Sequence, residues 1–468
     1  MPQQANTKTY QSLFVGLDTE IPLLDGSHRT YINLDNAAST PALKAVQKTV
    51  DQFLEYYSSV HRGTGFKSQL ATHAYEEARQ ITLRFLGANP TEHTCIFIKN
   101  TTEGVNKLAR RFPFTPDRNV VLTSGMEHHS NDLPWRSVAE TVHVQLTPEG
   151  YLDEANFDLL LNQYGPHLAL VAITGASNVT GILNPIHRLA EKAHRVGAMI
   201  FVDCAQLAPH RKVEMLPMDD PAHLDFVAIS AHKMYAPFGT GALVGREDVF
   251  AVGDPEQRGG GTVEIVTLED VVWAEPPDKE EAGSPNTVGA IAIAAAITQL
   301  EAIGMSSIAA HEAELTAYAL EKLPTVPGMQ IFGNKDPHKA SERLGVIPLA
   351  LEHIPHFKVS AILGHEFGIG VRSGCFCAHP YILHLLKLTT EEAHEVRSNM
   401  LAGDRSEMPG MVRASFGLYN TFEDVDSFVN ALDLIARGQY SGKYTQVKST
   451  GEFIPAGWQP DFSQYFAF

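Results

Sequence analysis

From Thr94 onward, the chain alternates short apolar segments with longer segments of helical periodicity. Short apolar runs bounded by turn residues are typical of buried strands. Strands separated by helices pair in parallel, and the helices then cover both faces of the sheet. The alternation therefore predicts an α/β fold with a large, doubly wound domain around a mostly parallel sheet. The predicted strands include residues 95–98, 120–122, 168–174, 198–202 and 225–229.

Polar residues follow each of these predicted strands, at the sheet edge where open α/β sheets bind ligands. After the first strand, Thr101 and Thr102 begin a helix, and hydroxyls with free amides at a helix N-terminus suit a phosphate group. The alternative is an ordinary helix cap made by Thr101 and Glu103. A glycine-bearing loop with His61 and Arg62 suits a second anion site, although a solvated loop has the same composition.

Lys233 follows the strand 225–229 and stands beside His232. Partial burial would lower the pKa of this lysine and leave a nucleophilic amine, as a lysine that forms Schiff bases requires. On this segment alone, a solvated loop lysine is the alternative.

Three other strand ends supply groups that suit a flat, aromatic, cationic ligand. Asp203 ends an apolar strand, where a carboxylate is costly to bury unless a cation meets it. The protonated pyridine nitrogen of pyridoxal phosphate is such a cation. Gln206 and Asn178 could donate to ring oxygens, and His128 could stack on the ring. Taken together, the strand ends predict a pyridoxal 5'-phosphate site.

Composition excludes several classes of partner. The 468 residues carry a formal net charge of −18, which argues against nucleic acid and anionic membranes as main partners. No apolar run is long enough to span a bilayer, and the first thirty residues lack the pattern of a signal peptide. Four cysteines in so long a chain do not make a disulfide framework. We therefore expect a cytoplasmic enzyme or a soluble binding protein.

Six motifs resemble those of class V aminotransferase-type enzymes, in unbroken order from about Ile32 to Thr421. Within that family they are most similar to the cysteine desulfurase and selenocysteine lyase branch, group II type. The resemblance implies a pyridoxal-phosphate-dependent transferase of fold type I and a homodimer with its sites at the subunit interface. The motifs are Asp35-Asn36-Ala37-Ala38, Val60-His61-Arg62-Gly63, Asn100-Thr101-Thr102-Glu103-Gly104, Met126-Glu127-His128-His129, Val202-Asp203-Cys204-Ala205-Gln206 and Ser230-Ala231-His232-Lys233.

The resemblance also implies roles for individual residues. Lys233 matches the lysine that binds the cofactor covalently, and His128 matches the histidine that stacks on its ring. Asp203 and Gln206 match the partners of the pyridine nitrogen and the phenolic oxygen. The residues that match phosphate contacts are Thr102, His232 and, from the other subunit, Thr287. The residues that match substrate-carboxylate contacts are Arg413 and Arg372.

Two cysteines and a histidine lie close together in Cys375-Phe376-Cys377-Ala378-His379. A closed zinc site needs four ligands, and the other two cysteines belong to large-domain strands, so we expect no metal site. An inert buried pair is one alternative, whereas the adjoining Arg372 would lower a thiol pKa and favour the thiolate. The resemblance places Cys377 at the position of the sulfur-accepting nucleophile.

These inferences predict a cysteine desulfurase that converts L-cysteine to L-alanine and leaves a persulfide on Cys377, with a sulfur-acceptor protein as a further expected partner. The alternatives are a C–S lyase that releases pyruvate and ammonia, a selenocysteine lyase, and a cofactor-binding relative without desulfurase chemistry. The predicted organisation is an N-terminal arm (1–30), a large cofactor-binding domain (31–305), a smaller α/β domain (306–438) and a C-terminal extension (439–468). The segment 399–411 and the extension depart from the family pattern.

Overall fold

The structure is a computed structural model that describes residues 10–468. The predicted N-terminal arm is thus described from Tyr10 onward, and its residues 1–9 lie outside the described residues. The strands, in chain order, are β1 (Glu20–Pro22), β2 (His28–Thr30), β3 (Ile32–Asn33), β4 (His93–Ile98), β5 (Val120–Ser124), β6 (Glu140–Val144), β7 (Leu168–Thr174), β8 (Met199–Asp203), β9 (Phe226–Ser230), β10 (Gly241–Arg246), β11 (Val263–Val266), β12 (Val271–Trp273), β13 (Met329–Ile331), β14 (Val346–Leu351), β15 (Ile369–Gly370), β16 (Arg372–Gly374), β17 (Met411–Ser415), β18 (Tyr444–Gln446) and β19 (Phe453–Pro455).

Helices connect most of these strands. The α-helices of the described residues are Lys44–Leu54, Phe66–Phe85, Thr101–Arg111, Leu133–Arg136, Glu154–Tyr164, Ile186–Arg195, Glu247–Ala251, Thr287–Ile303, Met305–Lys322, His356–Phe367, His379–Leu385, Thr390–Leu401 and Phe422–Ala436. Short 3₁₀ turns at His129–Asn131 and Ala231–Lys233 follow strands β5 and β9 and carry residues of the site described below.

The largest sheet has seven strands in the order β4-β10-β9-β8-β7-β5-β6. Strand β10 is antiparallel to both of its neighbours, and the other adjacent pairs are parallel. Every residue of β5, β7 and β9 is buried, as expected for central strands covered by helices on both faces. The predicted α/β class and mostly parallel sheet are confirmed.

A second, four-stranded antiparallel sheet has the order β13-β14-β17-β16. Its buried residues and those of helices Met305–Lys322, His356–Phe367 and Phe422–Ala436 form a separate hydrophobic core. Strand β3 pairs in parallel with β15, on this side of the molecule. The domain boundaries themselves remain a prediction.

Two connecting regions have the structures that their sequences predict. Residues 288–303 are predicted as a buried helix, and ten residues of helix Thr287–Ile303 are buried. Residues 257–285 are predicted to form a loop and hairpin that cross to a partner subunit. Strands β11 and β12 form an antiparallel hairpin, and the crossing stays a prediction. The apolar tip of this hairpin is exposed, with Leu268 entirely accessible.

Both ends of the described chain contain more structure than the sequence suggests. Residues 1–30 are predicted as an irregular arm, but β1 and β2 form an antiparallel hairpin. Hydrogen bonds from Leu24 and Ile32 to helix His356–Phe367 and Gly368 attach this region to the smaller sheet's side. In the C-terminal extension, β18 pairs with β19, whereas the terminal aromatic residues Phe462, Tyr465, Phe466 and Phe468 are exposed.

Within residues 10–468, no single helix is long and apolar enough to cross a membrane. The pair Thr287–Ile303 and Met305–Thr325 meets the length and composition criteria only jointly, with a bend of 76°.

Candidate active site

The carboxyl ends of the central parallel strands open into one cavity of about 310 Å³. Residues from the smaller sheet close its other side. This position follows from the topology, because parallel strands place all their carboxyl ends at the same edge. The lining residues are Ala37, Ala38, Asn100, Thr101, Thr102, His128, Ser130, Thr174, Ala176, Asn178, Asp203, Ala205, Gln206, Ser230, His232, Lys233, Arg372, Phe376, Cys377 and Arg413.

The N-terminus of helix Thr101–Arg111 faces this cavity. Asn100 is the N-cap, and its side chain accepts a hydrogen bond from the Glu103 backbone N–H (3.1 Å). The suggested cap by Thr101 is therefore wrong: its hydroxyl lies 2.8 Å from that of Ser230 on β9. The Thr102 hydroxyl lies 2.7 Å from Ser130 Oγ. The two threonine hydroxyls thus lie at the positive end of a helix dipole, which suits an anion.

Asp203 and Lys233 stand at the ends of neighbouring strands, since β8 pairs with β9 up to Asp203. Burial raises the pKa of the Asp203 carboxyl, although the Ala205 backbone N–H donates to it (2.9 Å) and the charge of Lys233 opposes the rise. Burial lowers the pKa of the Lys233 amine to about 8, against the opposing effect of Asp203. The amine is consequently far more nucleophilic near neutral pH than an exposed lysine.

Both histidines of the cavity are neutral near physiological pH. Burial, followed by the charge of Lys233, lowers the pKa of His128 to about 3 and that of His232 to about 4. The Ser130 backbone N–H donates to His128 Nδ1 (3.1 Å), so the ring hydrogen of His128 is on Nε2. A neutral, oriented imidazole can stack on a flat ligand and donate one hydrogen bond.

Gln206 and Asn178 are buried at the cavity wall and join segments that are distant in sequence. Gln206 Nε2 donates to the Ala37 carbonyl (2.6 Å), and Asn178 Nδ2 donates to the Phe376 carbonyl (2.8 Å). Each amide therefore ties a strand end of the large sheet to a loop that faces it across the cavity.

Two arginines enter the cavity from the smaller sheet, where Arg372 on β16 lies opposite Arg413 on β17. Arg413 is buried and donates to Asp35 Oδ1 (3.0 Å) and to the Asn178 carbonyl (2.9 Å). Its guanidinium carbon lies 4.9 Å from the centre of the Phe376 ring. Its Nε is buried without a hydrogen-bond partner among the described residues, so a donor remains for a ligand.

Asp35 is a site residue that the sequence analysis left without a role. It accepts from Arg413 and lies 3.6 Å from Arg372 Nη1, so a single carboxylate orients both guanidinium groups. The sequence feature that could have identified Asp35 as a site residue is its place in the motif Asp35-Asn36-Ala37-Ala38. An acidic residue at the end of a short strand needs a cationic partner, but the sequence does not show which one.

The two cysteines of the loop after β16 have opposite environments. Cys377 is exposed in the cavity, and its carbonyl accepts from the His129 backbone N–H (2.8 Å). Phe376 and Cys377 both have positive φ values, 51° and 54°, which are costly for residues other than glycine. The sharp turn holds the Cys377 thiol at the cavity.

Cys375 is buried, and its thiol donates to the Pro409 carbonyl (3.0 Å). Burial raises its pKa to about 12, with a further contribution from Cys377. The expected lowering of the pKa by Arg372 is wrong for this thiol. The Arg372 side chain is 58% exposed and directed to Asp35, so its charge is largely screened by solvent. All four cysteines of the chain are free.

Three predicted site residues do not line the cavity of this single chain. His61 Nε2 lies 3.7 Å from Glu76, which raises the His61 pKa, and Arg62 reaches the Val263 carbonyl. Thr287 is buried at the first turn of helix Thr287–Ile303, and its hydroxyl donates to the Pro285 carbonyl (3.5 Å).

The residues of the cavity fit pyridoxal 5'-phosphate in three independent respects. A helix N-terminus with two threonines suits the phosphate. Burial raises the pKa of the Asp203 carboxyl, and the positive charge of a protonated ring nitrogen would stabilise its ionised form. The Lys233 amine, with its lowered pKa, suits a covalent bond to an aldehyde.

Comparisons with known proteins agree with this geometry. The model of the family described as "Aminotransferase class-V" matches residues 32–428. A probable cysteine desulfurase of Halalkalibacterium halodurans is 35% identical over 436 residues, which cover 92% of this chain and 97% of that protein. A cysteine desulfurase of Dickeya dadantii is also 35% identical, over 86% of this chain and 92% of its own length.

Solved structures give the same result. The apo structure of a cysteine desulfurase from Thermococcus onnurineus has a TM-score of 0.75 and 32% identity, and covers 87% of this chain and 95% of its own. A cysteine desulfurase from Escherichia coli has a TM-score of 0.75 and 27% identity, and covers 94% of this chain and all of its own. The matched length, the mostly parallel sheet and the lysine at its carboxyl edge together mean that this chain belongs to the class-V aminotransferase family.

Proposed function

We propose that this protein is a pyridoxal-phosphate-dependent cysteine desulfurase, which converts L-cysteine to L-alanine and leaves the sulfur as a persulfide on Cys377. The observation that carries the proposal is the exposed Cys377 thiol, which lines the same cavity as the Lys233 amine and the Arg413 guanidinium. A transaminase needs the lysine and the arginine but no thiol. A nucleophilic thiol in the cavity is needed to accept sulfur from the substrate. The similar cysteine desulfurases support this assignment.

Each polar group of the large-sheet side has a role in holding the cofactor. Thr101, Thr102 and His232 bind the phosphate, and Lys233 binds the aldehyde carbon covalently. Asp203 would pair with the ring nitrogen, His128 would stack on the ring, and Gln206 and Asn178 would donate hydrogen bonds to the phenolic oxygen. When bound, the cofactor withdraws electrons from the substrate and stabilises negative charge at its α-carbon.

The smaller sheet binds the substrate. Arg413 and Arg372 hold the carboxylate of L-cysteine, since an arginine forms two parallel hydrogen bonds to such a group. Asp35 keeps both guanidinium groups in place before the substrate arrives. Preorganisation of this kind reduces the entropy lost on binding.

Two side chains then act on the substrate. Lys233 accepts the α-proton, because its lowered pKa leaves a large neutral fraction near pH 8. The Cys377 thiolate attacks the substrate sulfur, the carbon–sulfur bond breaks, and its electron pair remains with the β-carbon, which is then protonated. One thiol of cysteine and one of the enzyme thus become a C–H bond of alanine and an S–S–H group on Cys377.

A homodimer completes the site in this proposal. Thr287, His61 and Arg62 do not line the cavity of their own chain. The hairpin β11–β12, whose Val263 carbonyl accepts from Arg62, has exposed apolar residues. We infer that these residues line the partner's cavity, with Thr287 at the phosphate and His61 and Arg62 near the substrate.

A sulfur-acceptor protein then takes the persulfide sulfur from the exposed Cys377. Four free cysteines suit a reducing compartment and hence a cytoplasmic location.

Cofactor uptake by the apoprotein should depend on pH. Protonated Lys233 cannot attack an aldehyde, so the rate should rise with pH, have a midpoint near 8 and level off above it. The charge of Asp203 raises the Lys233 pKa, so Asp203→Asn should move the midpoint to lower pH. Stopped-flow absorbance measures both profiles. A midpoint that does not move in Asp203→Asn would show that the two groups are not coupled.

Product analysis tests the proposed reaction itself. Purified protein with bound cofactor is mixed with L-cysteine, and alanine, pyruvate and ammonia are measured by chromatography. Alanine in amounts equal to the sulfur released supports the desulfurase. Pyruvate and ammonia would identify a C–S lyase, and turnover confined to selenocysteine would identify a selenocysteine lyase. No product from either amino acid would leave only a cofactor-binding protein.

A further inference from the structure

A second group of side chains lies at the opposite edge of the large sheet, away from the cavity. Among residues 10–468, His194, His223 and Asp225 are the one set of three or more histidine, cysteine or acidic residues whose ligand atoms all lie within 4.8 Å of one another. His194 is in the last turn of helix Ile186–Arg195, and Asp225 directly precedes β9. Lys233 follows the other end of the same strand, so the group is separate from the active site.

Backbone carbonyls fix the orientation of both imidazole rings. His194 Nδ1 lies 2.7 Å from the Pro221 carbonyl, and His223 Nδ1 lies 2.7 Å from the Asp220 carbonyl. A ring nitrogen next to a carbonyl oxygen must donate, so both Nδ1 atoms carry hydrogen. In a neutral ring the other nitrogen, Nε2, then has a free lone pair. Histidines that bind metals are held in this way, by a hydrogen bond from the nitrogen that does not bind.

The two Nε2 atoms meet the same carboxylate. His194 Nε2 lies 3.0 Å from Asp225 Oδ2, and His223 Nε2 lies 3.3 Å from Oδ1. The rings are stacked, with their centres 4.1 Å apart. Two neutral rings would direct lone pairs at a carboxylate, which is repulsive, whereas two protonated rings would stack positive charge on positive charge. One protonated and one neutral ring still leave one lone pair directed at the carboxylate. A cation between the three groups removes each of these conflicts.

A third histidine at this edge has an unsatisfied nitrogen. His93, at the start of β4, is almost completely buried, and its Nδ1 lies 3.2 Å from the Asn89 carbonyl. Its Nε2 has no hydrogen-bond partner among the described residues. His93 pairs across the sheet with Arg246, which contacts Asp225, so this lone pair belongs to the same edge.

The groups that oppose a cation are also present. Arg246 Nη1 lies 3.3 Å from Asp225 Oδ1, and the Ile200 backbone N–H donates to Oδ2 (2.8 Å). Asp248 accepts the other two donors of Arg246, Nε at 3.0 Å and Nη2 at 2.6 Å, and so offsets its charge. A plain ion-pair network around Asp225 is therefore the competing explanation, and it predicts no metal binding.

We propose that His194, His223 and Asp225 bind a divalent zinc ion, with water as the remaining ligand. Two imidazole nitrogens and one carboxylate are the ligand types that zinc prefers, and three protein ligands leave one tetrahedral position open. The ion joins helix Ile186–Arg195 to the segment that enters β9. It therefore stabilises the sheet that carries Lys233 and takes no part in the reaction.

Zinc binding to the purified protein with its cofactor tests the proposal. The exposed Cys377 is first alkylated with iodoacetamide so that its thiol does not bind zinc. Equilibrium dialysis followed by elemental analysis should then give one zinc per chain, and the melting temperature should rise when zinc is added. Both effects should be lost in His194→Gln and in His223→Gln.

His187→Gln is the matched control. His187 lies on the same helix as His194, and its Nδ1 lies 2.9 Å from the neighbouring Ala222 carbonyl, but it is outside the group. This variant should keep one zinc and the full rise in melting temperature. Cobalt(II) gives a further readout, because tetrahedral binding produces visible absorption bands that should be present in His187→Gln and absent in His194→Gln. Equal zinc content in His194→Gln and wild type, or no zinc in folded wild type, would overturn the proposal in favour of the ion-pair network.

Discussion

Replacement of Lys233 by alanine should abolish the release of alanine from L-cysteine. The variant loses both the covalent attachment of the cofactor and the base that accepts the α-proton. General base catalysis alone typically contributes about 100- to 10,000-fold to a rate, so the loss should be at least of that order. Steady-state alanine production measures it. Lys212→Ala is the control, since Lys212 is an exposed lysine that pairs with Glu214 and does not line the cavity, and it should keep wild-type turnover.

Labelling tests the position of the covalent bond independently of activity. Wild-type protein should be yellow, and reduction with borohydride should fix the cofactor to the peptide that contains Lys233. The same treatment of Lys233→Ala should leave no peptide labelled. A label on another lysine in the wild-type protein would show that the lysine is misassigned.

The substitution Cys377→Ser should reduce alanine release by at least about 100-fold, which corresponds to about 2.7 kcal/mol of activation free energy. A serine hydroxyl stays protonated and is a much weaker nucleophile toward sulfur than a thiolate. Binding of L-cysteine should persist, because Arg413 and Arg372 are unchanged, and a spectral change on addition of substrate would measure it. Mass spectrometry of the peptide with residues 372–379 should find one added sulfur on Cys377 in the wild-type protein.

Cys375→Ser is the matched control for this result. Cys375 is two residues away, but it is buried, donates to the Pro409 carbonyl and has its pKa raised to about 12. Serine can keep that hydrogen bond, so most of the activity should remain. Two results together would reject the desulfurase and favour the lyase. These are full turnover in Cys377→Ser and no sulfur added to Cys375 or Cys377 in the wild-type protein.

Much of the architecture could be predicted from local sequence patterns. The alternation of apolar strands and helices predicted the mostly parallel sheet, because strand and helix formation depend on nearest neighbours and on burial periodicity. It also predicted that Thr101, His128, Asp203 and Lys233 would lie at one edge, and they line one cavity. This conclusion follows from geometry alone, because parallel strands end at the same edge of the sheet, whatever residues follow them.

The environment of each thiol could not be predicted in the same way. Arg372 is adjacent to the cysteine loop in sequence, which suggested a lowered thiol pKa. In the structure its side chain is exposed and directed to Asp35, whereas Cys375 is covered by the segment around Pro409. Burial then outweighs a screened charge, and the pKa of Cys375 rises. A charged residue that is adjacent in sequence therefore does not necessarily determine the pKa of a nearby thiol.

The sequence by itself determined the fold class and the chemical inventory at the carboxyl edge of the sheet. Only the tertiary structure decided which distant groups meet. Arg413 and Asp35 form an ion pair across 378 residues, and His194 meets Asp225 across 31. Such contacts depend on how separate elements pack. The sequence does not show which cationic side chain will pair with a given carboxylate. The physical reason is that strand and helix patterns are local, whereas hydrogen bonds and burial are set by the whole packed molecule.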